Sequence, residues 1–147
     1  MPDKLDIKII KELNDNARKS FREIARELKV SLTTVSNRVK NMESEGIIKG
    51  YIPLIDLERL KFDFQVIVGV RISHGKLMDV QKRLSKDPHV YGVYDITGDW
   101  DSIIIAKFKN RTELNTFVKN MLSTEYVERT NTSVILNIVK EEKRAQI

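Results

Sequence analysis

Residues 20–50 read SFREIARELKVSLTTVSNRVKNMESEGIIKG. Ser20 followed by Glu23 is an S-x-x-E capping box, whose hydroxyl and carboxylate satisfy backbone donors left open at a helix start. Ile24, Ala25 and Leu28 continue it as an apolar stripe. Lys29-Val30-Ser31 supplies a turn, Ser31 is placed to N-cap a second helix, and Gly46 falls where a C′ glycine ends one. The spacing therefore predicts two short helices joined by a tight turn.

In the second helix Val35, Val39 and Met42 recur at i, i+4 and i+7 and define a buried face. At about 100° per residue, Thr33, Asn37, Lys40 and Ser44 project from the opposite side. Thr34, Asn41 and Arg38 lie on one shoulder and Ser36 on the other. Short polar side chains flanked by cations suit a helix laid in the major groove, where hydroxyls and amides meet base edges and Lys or Arg meet phosphate. The pair matches the helix-turn-helix, whose second helix reads DNA. The competing reading is a solvated face of an ordinary three-helix bundle.

On the N-terminal side, Pro2-Asp3 and Asp6 mark a helix start, and Leu5, Ile9 and Leu13, reinforced by Ile10, give it a buried stripe that ends at Asn14-Asp15-Asn16. This helix is expected to complete a trihelical core. On the C-terminal side, Ile47 to Ile52 alternates as a strand, with Gly50 allowing a turn: a wing that brings Lys49 to phosphate. Residues 1–52 thus read as a winged helix-turn-helix domain and residues 53–61, PLIDLERLK, as a linker.

From Phe62 the period changes to two. Phe62, Phe64, Val66, Val68, Val70 and Ile72 alternate along a long strand. Lys76–Lys86 reads as a helix stopped by Asp87-Pro88. Val90–Thr97 and Trp100–Lys109 read as two strands around a tight Gly98-Asp99 hairpin. Thr112 is expected to cap a helix that buries Leu114, Phe117, Val118 and Met121, and Val127–Val139 forms a last strand. The fold class is α+β, with residues 62–147 forming a ferredoxin-like βαββαβ domain. Two helices cover one sheet face, and the other still carries apolar and aromatic side chains, so self-association through it is expected.

The chain has 147 residues and a net charge of +5, a mild bias toward a polyanionic partner. With no cysteine there is neither a disulfide nor a thiolate metal site. His74 and His89 have no metal-ligand spacing around them, so no metal and no cofactor are expected. The longest apolar runs are strand-sized and the N-terminus lacks a signal-peptide layout, which points to a soluble, cytoplasmic protein with no membrane role.

Three other classes compete. Asp95, Asp99 and Asp101 with Tyr91 and Tyr94 offer carboxylates for acid–base work, but no nucleophile–base pair accompanies them and the N-terminal domain would have no task. An RNA-recognition motif shares the βαββαβ order, yet WDSIIIAKF lacks its stacking aromatics. An architectural DNA-binding protein without an effector stays open.

The segment LDIKIIKELNDNARKSFREIARELKVSLTTVSNRVKNMESEGIIKGY, together with VYDITGDWDSIII and VERTNTSVIL, resembles the Lrp/AsnC, or feast/famine, family of transcription regulators over essentially the whole chain. Thr97-Gly98-Asp99-Trp100-Asp101 is similar to that family's T-G-x-[YW]-D turn. The resemblance implies a sequence-specific regulator of double-stranded DNA, a homodimer assembling further into tetramers or octamers, and an amino-acid effector bound near that turn and the last strand. Carried over, the effector positions are Thr97, Gly98, Asp99, Asp101, Thr130, Thr132 and Ser133. The expected DNA contacts are Ser31, Thr33, Thr34, Ser36, Asn37, Arg38, Lys40, Asn41 and Lys49.

Overall fold

A computed structural model describes residues 1–147. The chain divides into two compact units, Met1–Leu54 with Lys140–Ile147, and Ile55–Val139.

The first unit holds three helices, α1 (Lys4–Asp15), α2 (Phe21–Leu28) and α3 (Leu32–Ser44). Capping sets their starts. Asp3 accepts from the backbone of Leu5 and Asp6, and Asp6 accepts in return from Asp3 N–H at 2.9 Å. Ser20 and Glu23 form the second box as the spacing requires. Lys29 closes α2 in a left-handed conformation, which lets Val30 N–H reach Ala25 O at 3.0 Å and turns the chain into α3. Ile9, Leu13, Ile24, Ala25, Val35, Val39 and Met42 make the core. Removing each larger side chain from water is worth about 1.5–3 kcal/mol.

The expected wing strand is not formed. No ladder spans Ile47–Ile52, and residues 49–56 make no backbone–backbone hydrogen bond. A wing requires two strands, whereas this stretch offers one alternating run before Pro53, whose nitrogen carries no donor.

The second unit has the order β1 (Phe64–Ile72), α4 (Leu77–Leu84), β2 (Val90–Asp95), β3 (Ser102–Phe108), α5 (Arg111–Leu122), β4 (Val127–Val134). Its antiparallel sheet runs β2-β3-β1-β4, the βαββαβ topology anticipated from the periodicity. Val66, Val68, Val70 and Ile72 alternate into a core with Ile104, Ala106 and Phe108, closed by Val80 and Leu84 of α4 and Leu114, Phe117 and Met121 of α5. The intervening positions Gln65, Ile67, Gly69 and Arg71 point to the other face, beside Ile103 and Ile105.

Three expectations for this unit change. The β2–β3 connection is a six-residue loop, 96–101, and no tight hairpin at Gly98-Asp99. Its end is drawn sideways to β1, because Asp101 N–H donates to Val70 O at 3.0 Å and Asp101 Oδ2 accepts from Ile72 N–H at 2.8 Å. Asn110, two residues before Thr112, caps α5 by accepting from Glu113 N–H at 2.9 Å. The last strand stops at Val134, beyond which Leu136 and Val139 are exposed. No helix is long and apolar enough to cross a membrane.

Candidate nucleic-acid interface and ligand cleft

Buried Val35, Val39 and Met42 fix the rotation of α3 and so decide which side chains it presents. Thr33, Asn37, Lys40 and Asn41 are exposed and make no side-chain hydrogen bond or ion pair; half-buried Ser36 makes none either. These groups form a connected polar and cationic face. The first turn of α3 contains no acidic residue, unlike that of α1, α2, α4 and α5, so no carboxylate of its own stands at its positive end.

Three of the sequence-predicted DNA contacts are committed elsewhere. Ser31 Oγ accepts from Thr34 N–H at 3.0 Å and lies 2.8 Å from Thr34 Oγ1, so both hydroxyls serve the cap. Arg38 turns back to the first helix, bonding Asp3 and reaching Asp6 Oδ1 at 3.3 Å. Its pairing with Asp3 holds the guanidinium pKa above its ordinary value. Asp3 is held below the usual carboxylate value first by the Asp6 N–H and then by Arg38. Lys49 is exposed on the irregular segment, with no wing to aim it.

In the second unit, the 96–101 loop and the adjoining strands frame a cleft of about 450 Å³ lined by Arg71, Gly98, Asp99, Glu128 and Arg129. A neighbouring cleft of about 380 Å³ shares Arg71 and Glu128 and adds Ser73, His74 and Asp101. Arg71 and Arg129 are direct ladder partners, a like-charge pairing that is unfavourable without compensation. Arg71 finds it in Asp99 O at 3.1 Å and Asp101 Oδ1 at 3.6 Å, and Arg129 in the face of Trp100, 4.7 Å from the ring centroid.

Of the expected effector residues, Gly98 and Asp99 line the first cleft and Asp101 the second, while Thr97 lies in the same loop and lines neither. Asp101 is largely occupied in holding the loop to β1. The β4 residues separate by alternation. Thr130 and Thr132 pair with Val70 and Val68 on the helix-covered side, whereas Ser133 pairs with Ile67 on the open side. None of the three lines the cleft. Arg71, Glu128 and Arg129 went unnoticed in the sequence; the available signal was Arg71, the one charged side chain in the strand FQVIVGVRI. No group of three or more His, Asp or Glu side chains is placed to hold a metal.

Residues 2–49 match the winged helix-turn-helix DNA-binding family, and residues 65–145 match the Lrp/AsnC ligand binding domain. An uncharacterized HTH-type transcriptional regulator of Pyrococcus abyssi is 44% identical over 146 residues, covering 99% of each chain. The HTH-type transcriptional regulator Ptr1 of Methanocaldococcus jannaschii is 40% identical over 118 residues, 80% of each. Among solved structures, a transcriptional regulator from Neisseria meningitidis in complex with L-Met superposes with a TM-score of 0.89 at 26% identity, over 99% of this chain and 97% of that one. AsnC of E. coli shares the fold, with a TM-score of 0.89 at 24% identity over 97% of each chain.

Proposed function

Because the chain belongs to the Lrp/AsnC family of transcription regulators and carries its DNA-binding helix-turn-helix and ligand binding domain, we propose that it binds specific duplex sequences through α3 under the control of an amino acid held at the 96–101 loop. The observation that carries the DNA half is the outward face of α3, where Thr33, Asn37, Lys40 and Asn41 have no intramolecular partner while the opposite face is anchored in the core. Asn37 and Thr33 serve as base-edge readers, Lys40 and Lys49 as phosphate contacts, and Asn41 and Ser36 flank them. Ser31, Thr34 and Arg38 hold the helix in place. Residues 1–52 act as the DNA-reading head, 53–61 as the linker and 62–147 as the effector and assembly domain. The protein works in the cytoplasm, where its DNA is.

For the ligand half, a zwitterion requires cations for its carboxylate and carboxylates for its ammonium. Arg71 and Arg129 supply the first and Asp99 and Glu128 the second, all around one cleft. The Neisseria relative, which holds L-Met, supports an amino acid as the ligand class. Exposed Ile67, Tyr91 and Tyr94 on the bare sheet face support a homodimer through that face, and higher assembly would set two heads on pseudo-palindromic half-sites spaced by a helical turn or its multiples. An effector acts by binding two assemblies with different affinity.

Selection of bound sequences from random duplexes, with and without a mixture of the twenty amino acids, tests both halves. A defined motif whose recovery changes with one amino acid is the expected result. Salt-dependent binding without any enriched motif would favour an architectural role. No binding at all would remove the reading.

A further inference from the structure

Leu32 is the first residue of α3 and remains 45% exposed. It belongs neither to the core of the head nor to the half-buried side chains packed on that core, which are Leu5, Ile10, Phe21, Leu28, Val30 and Ile48. Its isobutyl group therefore lies outside the packed core of the head. A leucine brings no particular advantage to a helix start either, where an acid or proline suits the open donors. The hydroxyls on either side of it, Ser31 and Thr34, are bonded to one another and to the Thr34 N–H. The tip of α3 thus presents Leu32 and the neighbouring Thr33, with the adjacent polar groups turned inward on the cap.

Recognition helices bring their N-terminal residues to base edges. In the major groove one base edge carries an apolar group, the 5-methyl of thymine, and apolar side chains read it. We propose that Leu32 is a specificity-determining residue that selects thymine in each half-site through its 5-methyl group, with the Thr33 methyl beside it. The inference rests on α3 being the DNA-reading helix and adds a base identity to that reading.

The test uses the full chain and a duplex enriched from a random pool, resynthesised with deoxyuridine in place of thymidine one position at a time. That replacement deletes the methyl and leaves every hydrogen-bonding group. At one position per half-site, affinity falls about fourfold, the transfer worth of one buried methyl group. Leu32→Ala binds both duplexes equally at that position, with an unchanged salt slope and thermal midpoint, while Leu32→Met keeps part of the preference for thymine. Tolerance of deoxyuridine at every position overturns the proposal. So does a thymine preference that survives intact in Leu32→Ala, which would assign the methyl to another residue. A pool with no enriched duplex would instead remove DNA reading by α3, and the inference with it.

Discussion

Arg38 Nη1 lies 3.3 Å from Asp6 Oδ1 and also bonds Asp3, so one guanidinium on α3 clamps both carboxylates of the α1 capping box. Asp6 is 7% exposed, and a carboxylate so placed requires its donors. The clamp sets α3 against α1 and leaves Arg38 turned from the polar face. Arg38→Met is expected to lower the urea midpoint of the head while leaving the salt dependence of DNA affinity unchanged. A phosphate-contacting arginine would do the reverse, flattening the slope of log affinity against log salt by about one.

Asp3, Glu12 and Glu23 all have lowered pKa values. The Asp6 N–H acts most on Asp3, the Lys19 ammonium on Glu12, and the Ser20 hydroxyl and N–H on Glu23. A carboxylate with a depressed folded pKa binds fewer protons folded than unfolded, so its stabilisation is complete above the unfolded value and is lost as pH falls toward the folded one. The head should hold its melting temperature down to the ordinary carboxylate range and lose it steadily as pH falls below that range. Circular dichroism melts across that range check the sign; Arg38→Met should lose part of the slope.

Asn37→Ala and Lys40→Ala should separate base reading from phosphate attraction. The first is expected to cost about 1–3 kcal/mol on the selected duplex and relax preference at one position; the second should weaken all duplexes alike and reduce the salt slope by about one. Both side chains are exposed and unpartnered, so thermal midpoints should move little. Competition binding against single-position duplex variants measures both effects.

Trp100 lies flat on Gly69, so close that an added Cβ would come 2.6 Å from Trp100 Cδ2. Gly69→Ala must push the indole off β1, at a cost of about 1–3 kcal/mol for overpacking. Trp100 is the only tryptophan of the chain, so its emission reports the displacement directly. A red shift at ambient temperature with an intact circular dichroism spectrum is expected, along with weaker ligand binding, because Arg129 would lose its aromatic support.

Asp101 and Asp99 should also behave differently. Asp101→Ala leaves Ile72 N–H without its 2.8 Å acceptor and removes the carboxylate paired with Arg71, at about 1–3 kcal/mol for an unsatisfied half-buried donor. Asp99→Ala removes a carboxylate from the cleft yet keeps the backbone carbonyl that accepts from Arg71. Calorimetry with free amino acids should show lost binding in both, and thermal melts lost stability in Asp101→Ala alone.

The helices of the head were legible because their signals are local. The capping box at Ser20–Glu23, the cap at Ser31 and the stripe Val35-Val39-Met42 depend on neighbours within one or two turns, and each appears in its place. Period-two alternation identified β1 for the same reason. The strand expected over Ile47–Ile52 did not form because alternation marks a surface fit for pairing without supplying the second strand, and this stretch pairs with none within the chain.

Roles at the candidate sites depended on contacts between residues far apart in sequence. Arg38, expected to contact DNA, pairs with Asp3 and Asp6 of the first helix, and Asp101, expected to contact a ligand, accepts from Ile72 N–H. Which of Thr130, Thr132 and Ser133 faces the open side follows from register against β1, where a one-residue slip inverts every side chain. Local order in the chain thus settled the helices, the βαββαβ order, the buried faces and the kinship, since backbone capping and apolar periodicity act over a few residues. Folding in three dimensions settled which charged groups stay free to meet a partner, because a guanidinium or carboxylate goes to whichever opposite charge or open donor the packing brings within reach.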